Sequence, residues 1–343
     1  MSRQSDRLRS TAPSASLSRR GLLLAGLGAP LVAGGLSGCG GKARDGRIRF
    51  GHSAAAVAAS AAQDAGLFAR HGLDVEFVQI QSGPSAVAAT VGGALDFTFG
   101  DFLGWAAALC NGFEAQLIAP ANDTGNLVLL GRPGLAYNSP ADLIGRRVGV
   151  SPAPVFSLAV RLWLQQQGVD PSKVNLTLVG PGAENALKRG DIDALLTFDP
   201  VSYRAVSQLG ATRIAGDPTQ AVMPHGAARA CYYANADFLA ARPDAVERMA
   251  AALREGGALF AAAAQVDKAR ITGPYIGQTV AQMEQELPGL IQAYDHTPPQ
   301  LAGFDIAANQ AWVDIAARDG ALPRRIDIAP FVYKTAIIPA AAA

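Results

Sequence analysis

The segment GALDFTFGD, residues 93–101, decides the fold because the chain contains a second version of it, GDIDALLTFD, at residues 190–199. Both segments begin with Gly-x-x-Asp, continue as an apolar strand and place an aspartate directly before the next predicted helix. Gly-x-x-Asp before a strand is a common turn, so the motif alone does not indicate a repeat. The evidence for a repeat is the position of the two copies. Each copy forms the third predicted strand of its own set. The sequence therefore predicts two similar α/β halves.

The strands around each copy alternate with helices. The predicted strands are at residues 48–50, 73–78, 95–99 and 114–119 in the first set, and at 147–150, 174–179, 193–198 and 212–215 in the second. Strands separated by short helices form right-handed βαβ units and parallel sheets. A strand at 126–130 is predicted to leave the first set, and one at 230–233 to follow the second. Helices at 243–263 and 300–318 are expected to pack on the first half.

The composition excludes two broad classes of protein. Of 343 residues, 50% are hydrophobic and 17% charged, and 29 lysines and arginines nearly balance 28 aspartates and glutamates. Intrinsic disorder requires fewer apolar groups and a larger net charge. A nucleic-acid-binding protein needs a basic excess to neutralise phosphates, so nucleic acid is not expected as a partner.

The first 38 residues have the features of an export signal. Arg19 and Arg20 precede an apolar stretch, 22–36, which is too short and too interrupted by glycine and proline to span a membrane. The stretch 18–23 resembles a twin-arginine signal, and LSGC at 36–39 resembles a bacterial lipobox. The resemblance implies a lipidated Cys39 as the mature N-terminus, a linker at 39–46, and a protein of the periplasm or cell surface that meets the membrane only through its lipid anchor.

Four segments resemble one known family in order and spacing: residues 65–75, 92–101, 142–150 and 193–200. The chain is similar to the periplasmic substrate-binding proteins of ABC importers for nitrate, sulfonate and taurine, which share their fold with proteins that bind thiamine-pyrimidine precursors. The resemblance implies a type II periplasmic-binding-protein fold, α/β, with two lobes that are each a mainly parallel sheet flanked by helices, and crossover strands as the hinge. Lobe 1 would comprise 47–129 and 230–343, and lobe 2 would comprise 130–229.

Ligands of open α/β sheets bind beyond the carboxyl ends of the strands, where helix N-termini present free N–H groups. The same loops are implied by the family resemblance. From the first lobe this rule selects His52, Ser53, Ser82, Gly83, Asp101, Phe102, Asn122 and Thr124. From the second lobe it selects Ser151, Ala153, Phe156, Phe198 and Asp199. No catalytic residue, metal or cofactor is expected.

Several of these residues have a structural alternative. Asp101 and Asp199 directly precede predicted helices, so each could be an N-cap without touching ligand. The serines could equally close turns, and the phenylalanines could belong to the core or stack on a flat ligand. If the aspartates face the cleft, two acids and three phenylalanines favour a planar ligand, pyrimidine-like or aromatic and either neutral or amino-bearing, over a small anion. A sulfonate is the alternative ligand.

The leading functional hypothesis is a monomeric binding protein without catalysis. The lobes would close on a small solute and deliver it to an ABC permease in the inner membrane. One alternative is an enzyme like the pyrimidine synthases related to this family, which use a histidine and a pyridoxal-bearing lysine; none of Lys173, Lys188, Lys268 and Lys334 follows a first-lobe strand. A second alternative is a ligand sensor that docks on a membrane receptor.

Overall fold

The computed structural model describes residues 46–53, 55–80, 83–121, 127–286, 288–293 and 303–337. The first part of the chain forms β1 (Ile48–His52), α1 (Val57–Asp64), α2 (Leu67–Arg70), β2 (Val75–Gln79), α3 (Gly83–Val91), β3 (Phe97–Asp101), α4 (Phe102–Cys110) and β4 (Ala115–Pro120). The middle part forms β5 (Val128–Gly131), β6 (Arg147–Val150), α5 (Pro154–Gln166), β7 (Asn175–Leu178), α6 (Ala183–Arg189), β8 (Ala194–Thr197), α7 (Val201–Leu209), β9 (Thr212–Ala215) and α8 (Pro218–Val222). The remainder forms β10 (Ala230–Asn235), α9 (Ala236–Ala241), α10 (Pro243–Ala262), α11 (Gln265–Thr272), α12 (Val280–Glu286), α13 (Leu290–Ala293), α14 (Ile306–Arg318) and α15 (Lys334–Ile337).

The strands form two five-stranded sheets with the same plan, β2-β1-β3-β10-β4 and β7-β6-β8-β5-β9. In the first sheet β1 pairs in parallel with β2 and β3, and β10 is antiparallel to both β3 and β4. In the second sheet β6 pairs in parallel with β7 and β8, and β5 is antiparallel to β8 and β9. Each sheet is therefore mainly parallel with one antiparallel strand that follows a crossover. The prediction of a two-lobed α/β fold is confirmed.

The first crossover differs from the prediction in its position. Val128 pairs with Thr197 and Leu129 with Leu196, so the whole of β5 belongs to the second sheet. The predicted lobe boundary between residues 129 and 130 falls inside this strand. An apolar run such as 127–130 fits a strand of either lobe, so the sequence does not assign it. Its pairing with β8 and β9 assigns it to lobe 2.

The repeated Gly-x-x-Asp segment has a structural role in the first lobe. Asp96 is buried, and its Oδ2 atom accepts a hydrogen bond from the backbone N–H of Arg49 at 2.9 Å. The Arg49 guanidinium pairs with Asp96 and also donates to the carbonyl of Gly93 at 2.8 Å. The turn before β3 is thereby joined to β1.

The second lobe contains the same contact. The Oδ2 atom of Asp193 accepts a hydrogen bond from the backbone N–H of Arg147 at 3.0 Å, and the Arg147 guanidinium donates to the Gly190 carbonyl. Asp193 additionally pairs with Arg132 at 3.2 Å. The sequence echo therefore corresponds to one structural module, used once in each lobe to fix the middle strand against its neighbour.

Long C-terminal helices complete the first lobe, as predicted. One cluster joins α1 and α10 through buried residues such as Ala59 and Met249. Gly256 lies where these helices approach most closely, since a Cβ atom there would be 2.3 Å from the carbonyl oxygen of Ala58. A second cluster joins Trp105 of α4 to Trp312 of α14. Among the described residues, no helix combines the length and apolarity needed to cross a bilayer.

The two lobes share part of one hydrophobic core. Val155 and Leu158 of α5, in the second lobe, are fully buried in the cluster that contains Trp105 and Trp312. Phe156 packs against this cluster and also against the core of the second lobe. The N-terminal half of α5 is therefore packed against the first lobe.

Candidate functional site

The carboxyl ends of the two sheets face each other across the space that we call the interlobe cleft. Asp217 follows β9 of the second sheet, and its Oδ2 atom lies 2.7 Å from Nη2 of Arg229, which directly precedes β10 of the first sheet. The carbonyl of Arg229 in turn accepts a hydrogen bond at 2.9 Å from the N–H of Phe102, directly after β3. The ion pair thus joins the two ends of the crossover between β9 and β10.

His52 ends β1 and is 1% exposed. Its ring stacks on that of Phe77 at a centroid distance of 4.5 Å and contacts the tilted ring of Tyr275 at 4.0 Å, so the three rings form one cluster. Burial lowers the pKa of His52 to about 3, so the imidazole is neutral at physiological pH.

The hydrogen bonds of Ser60 define the His52 tautomer. The Ser60 hydroxyl donates its only proton to the carbonyl of Ala56 at 3.2 Å, so it accepts from His52 Nε2 at 2.9 Å. Nδ1 is then an acceptor, and it is buried without a partner among the described residues. A ligand N–H or O–H group is the complement of this atom.

Asp101 is an N-cap, the structural alternative recognised from sequence. Its Oδ1 atom accepts a hydrogen bond from the N–H of Gly104 at 2.6 Å, at the start of α4. Burial raises the pKa of Asp101 to about 7, an effect that the Gly104 hydrogen bond and the nearby Arg229 charge only partly oppose. Asp101 is therefore a carboxyl group that gains a proton near neutral pH.

Asp199 is also committed to a helix. It is 5% exposed and accepts hydrogen bonds from the Ser202 hydroxyl and, at 3.0 Å, from the N–H of Tyr203. Both aspartates thus direct an oxygen at α4 or α7. The sequence-based preference for a neutral or amino-bearing ligand depended on these acids facing the ligand, and that support is weakened.

The three predicted phenylalanines have different environments. Phe102 is 1% exposed and packs against Trp105 and Phe304. Its ring belongs to the core, because the residue after β3 already lies on the buried face of α4. Phe156 is half-buried at the junction of the lobes. Phe198 is 42% exposed and directly follows β8.

The remaining predicted residues are loop or helix-start positions. Ser53 and Ser151 are half-buried. Ala153 is the N-cap of α5 and has no side-chain acceptor to satisfy the first N–H groups of that helix. Gly83 begins α3. Ser82, Asn122, Thr124 and Cys39 lie outside the described residues.

Sequence reasoning missed Arg229, Asp217 and Tyr275. An arginine before a buried strand and an Asp-Pro pair before a short helix are ordinary sequence features, and nothing in them announces a contact between lobes. Tyr275 lies in a 3-10 turn, Gly273–Ile276, more than 220 residues along the chain from His52. The same C-terminal region contacts the second lobe, because Gln208 of α7 donates to the carbonyl of Glu286 at 2.7 Å.

The two cysteines of the described residues are in an unreactive form. Cys110 and Cys231 are free and buried, and burial raises the pKa of the Cys231 thiol well above its ordinary value. A buried neutral thiol is a poor nucleophile. Within the described ranges, no group of three histidine, cysteine, aspartate or glutamate residues is arranged to hold a metal ion.

The opposite pKa shifts of His52 and Asp101 make a testable prediction. Between pH 6.5 and about 3 the unfolded chain protonates His52 and the folded protein does not, so acidification lowers the free energy of unfolding. Between about 7 and 3.8 the folded protein protonates Asp101 first, so acidification raises it. The two contributions therefore offset each other between pH 4 and 6.5, each with a slope of at most about 1.4 kcal/mol per pH unit.

Two variants separate these contributions. From pH 6.5 to 4.5, urea unfolding should show His52→Gln gaining stability relative to wild type and Asp101→Asn losing it. Asparagine is an equally good N-cap, so the helix start is preserved. Difference curves that are flat, or that have the same sign for both variants, would contradict the assigned environments.

Comparison with known proteins agrees with this geometry. The family model described as "NMT1/THI5 like" matches residues 55–266. A putative binding protein of Brucella abortus is 25% identical over 235 residues, which cover 66% of this chain and 69% of that protein. The periplasmic aliphatic sulphonate binding protein SsuA of Escherichia coli superposes with a TM-score of 0.70 at 17% identity, covering 87% of this chain and 95% of that structure.

An enzyme has the same fold. The desulfurization enzyme DSZB superposes with a TM-score of 0.61 at 15% identity, covering 83% of this chain and 96% of that structure. These structural similarities establish the two-lobed architecture. The family is established by the family model, which covers more than half of the sequence. The chain belongs to the NMT1/THI5-like family.

Proposed function

We propose that this protein is the extracytoplasmic solute-binding component of an ABC importer. It captures one small organic ligand between its lobes and delivers it, as a closed monomer, to a permease in the inner membrane. Cys39 carries the lipid that anchors it on the periplasmic or outer surface. The family, the sulphonate-binding and Brucella relatives, and the export-type leader in the sequence support this proposal.

The interlobe cleft is the observation that carries the proposal. Strand ends of both sheets converge there, and two crossovers, 121–127 and 216–229, connect the lobes. Two separately folded sheets joined by two connections are the usual arrangement for hinge closure. A ligand that contacts both lobes stabilises the closed form by its differential affinity for that form.

Contacts between the lobes support a proposal for which surfaces meet on closure. The Tyr203 hydroxyl of α7 donates to the Pro288 carbonyl, and Tyr203 packs against the cluster of Met283 and Leu290. Tyr275, from the same region as Pro288, packs against the His52 ring of the first lobe at a centroid distance of 4.0 Å. The region 275–290 therefore touches both lobes, and its contacts with α7 are expected to form as the cleft closes.

An enzyme on this fold is the second candidate, favoured by the architecture shared with DSZB. The groups of this chain argue for binding instead. His52 is neutral, and its Nε2 atom is committed to Ser60. The Cys231 thiol is buried and protonated at physiological pH. Asp101 and Asp199 are used as caps. These groups can hold a ligand, and none is positioned as an activated nucleophile.

A thermal-shift panel of purified protein tests the proposal. The panel contains sulfonates, carboxylates, nitrate, pyrimidines, aromatic amines and sugars. A specific ligand at 100 times its dissociation constant should add about 2.7 kcal/mol to the free energy of unfolding and raise the melting temperature by several degrees. Stabilisation by one chemical class supports a binding protein. A flat response across the panel, or conversion of a stabilising compound, contradicts the proposal.

A further inference from the structure

We infer that the two lobes carry a clasp, in which α7 of the second lobe holds the end of α12 and keeps part of the protein closed when no solute is bound. The clasp consists of Tyr203 and Gln208 on one side and of residues 280–286 and 288–291 on the other. The inference rests on the proposed function and deepens it, because it names contacts that hold the lobes together. These contacts involve no ligand, so the order of α12 and the closure of the lobes depend on each other.

The α12 side of the clasp is attached to the first lobe through α11. Ile271 of α11 is buried in a cluster with residues of α1 and α10. Arg270 of the same helix pairs with Asp64 at the end of α1, with N–O distances of 2.8 Å and 3.2 Å. Ala269 of α11 and Met283 of α12 share a second cluster. Helices α11 and α12 therefore belong to the first lobe.

Two side chains of α7 reach these residues from the second lobe. The Tyr203 hydroxyl donates to the carbonyl of Pro288. The Nε2 atom of Gln208 donates to the carbonyl of Glu286 at 2.7 Å. Helix α7 itself is fixed to the second lobe, because its Ala205 is fully buried in a core cluster of that lobe. The two hydrogen bonds therefore join the lobes.

Helix α12 depends on α7 for its stability. It has seven residues, fewer than the about 12–15 that an isolated helix needs, so it must be held by packing. Its buried Met283 lies in the cluster against which Tyr203 packs. The last carbonyls of a helix have no donor within the helix, and Gln208 supplies one to Glu286. Separation of the lobes would remove both the packing partner and this donor.

The residues after α12 fit Tyr203 closely. Gly289 has a φ of +84°, a backbone conformation that favours glycine. A Cβ atom at Gly289 would lie 2.9 Å from the Tyr203 hydroxyl oxygen. Leu290 and Ile291 follow, and both are buried in the cluster that contacts the Tyr203 ring. This close approach indicates a specific contact between α7 and the first lobe.

Each side of the clasp also contacts a strand end that faces the cleft. Tyr275, between α11 and α12, packs against His52 at the end of β1. The backbone N–H of Tyr203 donates at 3.0 Å to Asp199, two residues after β8. A solute bound at these strand ends and the clasp therefore act on the same equilibrium between open and closed forms.

Hydrogen exchange of the ligand-free protein, followed by mass spectrometry, tests the inference. Tyr203→Phe and Gln208→Ala each remove one hydrogen bond, so peptides covering 280–291 should exchange about fivefold faster in each variant and at least about tenfold faster in the double variant. Small-angle X-ray scattering should give the double variant a larger radius of gyration, because the closed population is lost. Val206→Ala is the control, since Val206 lies on the same helix and is 39% exposed. It should change neither measurement.

Circular dichroism identifies any variant that does not fold, and Gln208→Ala, at an exposed position, keeps the test valid if Tyr203→Phe fails. Exchange of 280–291 within about twofold of wild type in the folded variants would overturn the inference. An unchanged radius of gyration, or equal acceleration in peptides of α10, which would indicate a global loss of stability, would overturn it as well.

These outcomes are independent of solute binding, which the thermal-shift panel measures. If the clasp variants behave like wild type while one solute class stabilises the protein, the inference is wrong and the binding function stands. If the clasp variants open the protein while the panel is flat, the clasp stands and the proposed function is wrong.

Discussion

Replacing Gly256 with alanine is expected to lower the free energy of unfolding by about 3 kcal/mol, at the upper end of what overpacking costs in a close-packed core. The new Cβ atom would lie 2.3 Å from the carbonyl oxygen of Ala58 and 2.8 Å from the backbone nitrogen of Ala62. Both are main-chain atoms of α1, so no side chain can rotate away and the helices must separate. Intrinsic helix propensity acts in the opposite direction, favouring alanine by about 1 kcal/mol.

Urea unfolding followed by far-ultraviolet circular dichroism measures this loss. Leu259→Ala is the control, because Leu259 lies on the same helix and is 48% exposed, so its replacement should change stability by no more than about 0.5 kcal/mol. A Gly256→Ala protein as stable as wild type would show that α1 and α10 do not approach each other as closely as the structure indicates.

Asp96→Ala should cause a loss of similar size, about 3 kcal/mol, because it removes the buried member of an ion pair. The carboxylate accepts from the backbone N–H and from the guanidinium of Arg49, and its side chain is 1% exposed. Without the Asp96 carboxylate, the backbone N–H and the guanidinium of Arg49 both lose this acceptor.

The second lobe provides a matched test of the same module. Asp193→Ala removes the corresponding contacts with Arg147 and also one with Arg132, so a comparable loss is expected. Asp191→Ala is the control, since Asp191 pairs with Arg189 on an exposed surface and should contribute about 0.5 kcal/mol or less. Equal stability of Asp96→Ala and Asp191→Ala would contradict the assigned role of the repeated segment.

The sequence was sufficient for the features that depend on local pattern. The two Gly-x-x-Asp segments predicted two similar halves, and the structure shows why they recur: each aspartate joins its turn to the arginine of a neighbouring strand. Strand β6 has the predicted bounds, and β9 does as well. Apolar strands and helix starts can be predicted from the sequence, because their burial and capping patterns involve residues that are close in sequence.

Features that depend on contacts between distant residues could not be predicted. The assignment of β5 to the second sheet needs its pairing partners. Arg229 meets Asp217 because the two ends of one crossover, between β9 and β10, fold back on each other. The sequence left the roles of Asp101 and Asp199 undecided, because an aspartate directly before a helix can either cap that helix or contact a ligand. The direction of the carboxylate, which only the structure shows, distinguishes the two roles.

This distinction bears on the expected ligand. Two carboxylates facing the cleft would favour an amino-bearing ring, whereas each aspartate directs an oxygen at the start of a helix. The sequence-based support for a pyrimidine-like ligand over a sulfonate is weakened accordingly. The exposed ring of Phe198 remains compatible with an aromatic body.

The distance between the lobes, with and without ligand, tests closure on a solute most directly. Spin labels are placed on cysteines introduced at Ile144 of lobe 2 and Leu259 of lobe 1, both nearly half exposed, in a chain that starts at Gly40; the native Cys110 and Cys231 are buried. Double electron–electron resonance should show saturating ligand shifting the distance distribution to one narrow population, with the ligand recovered chemically unchanged. The same distribution with and without saturating ligand, or a ligand recovered as product, would contradict a binding protein that closes on its solute.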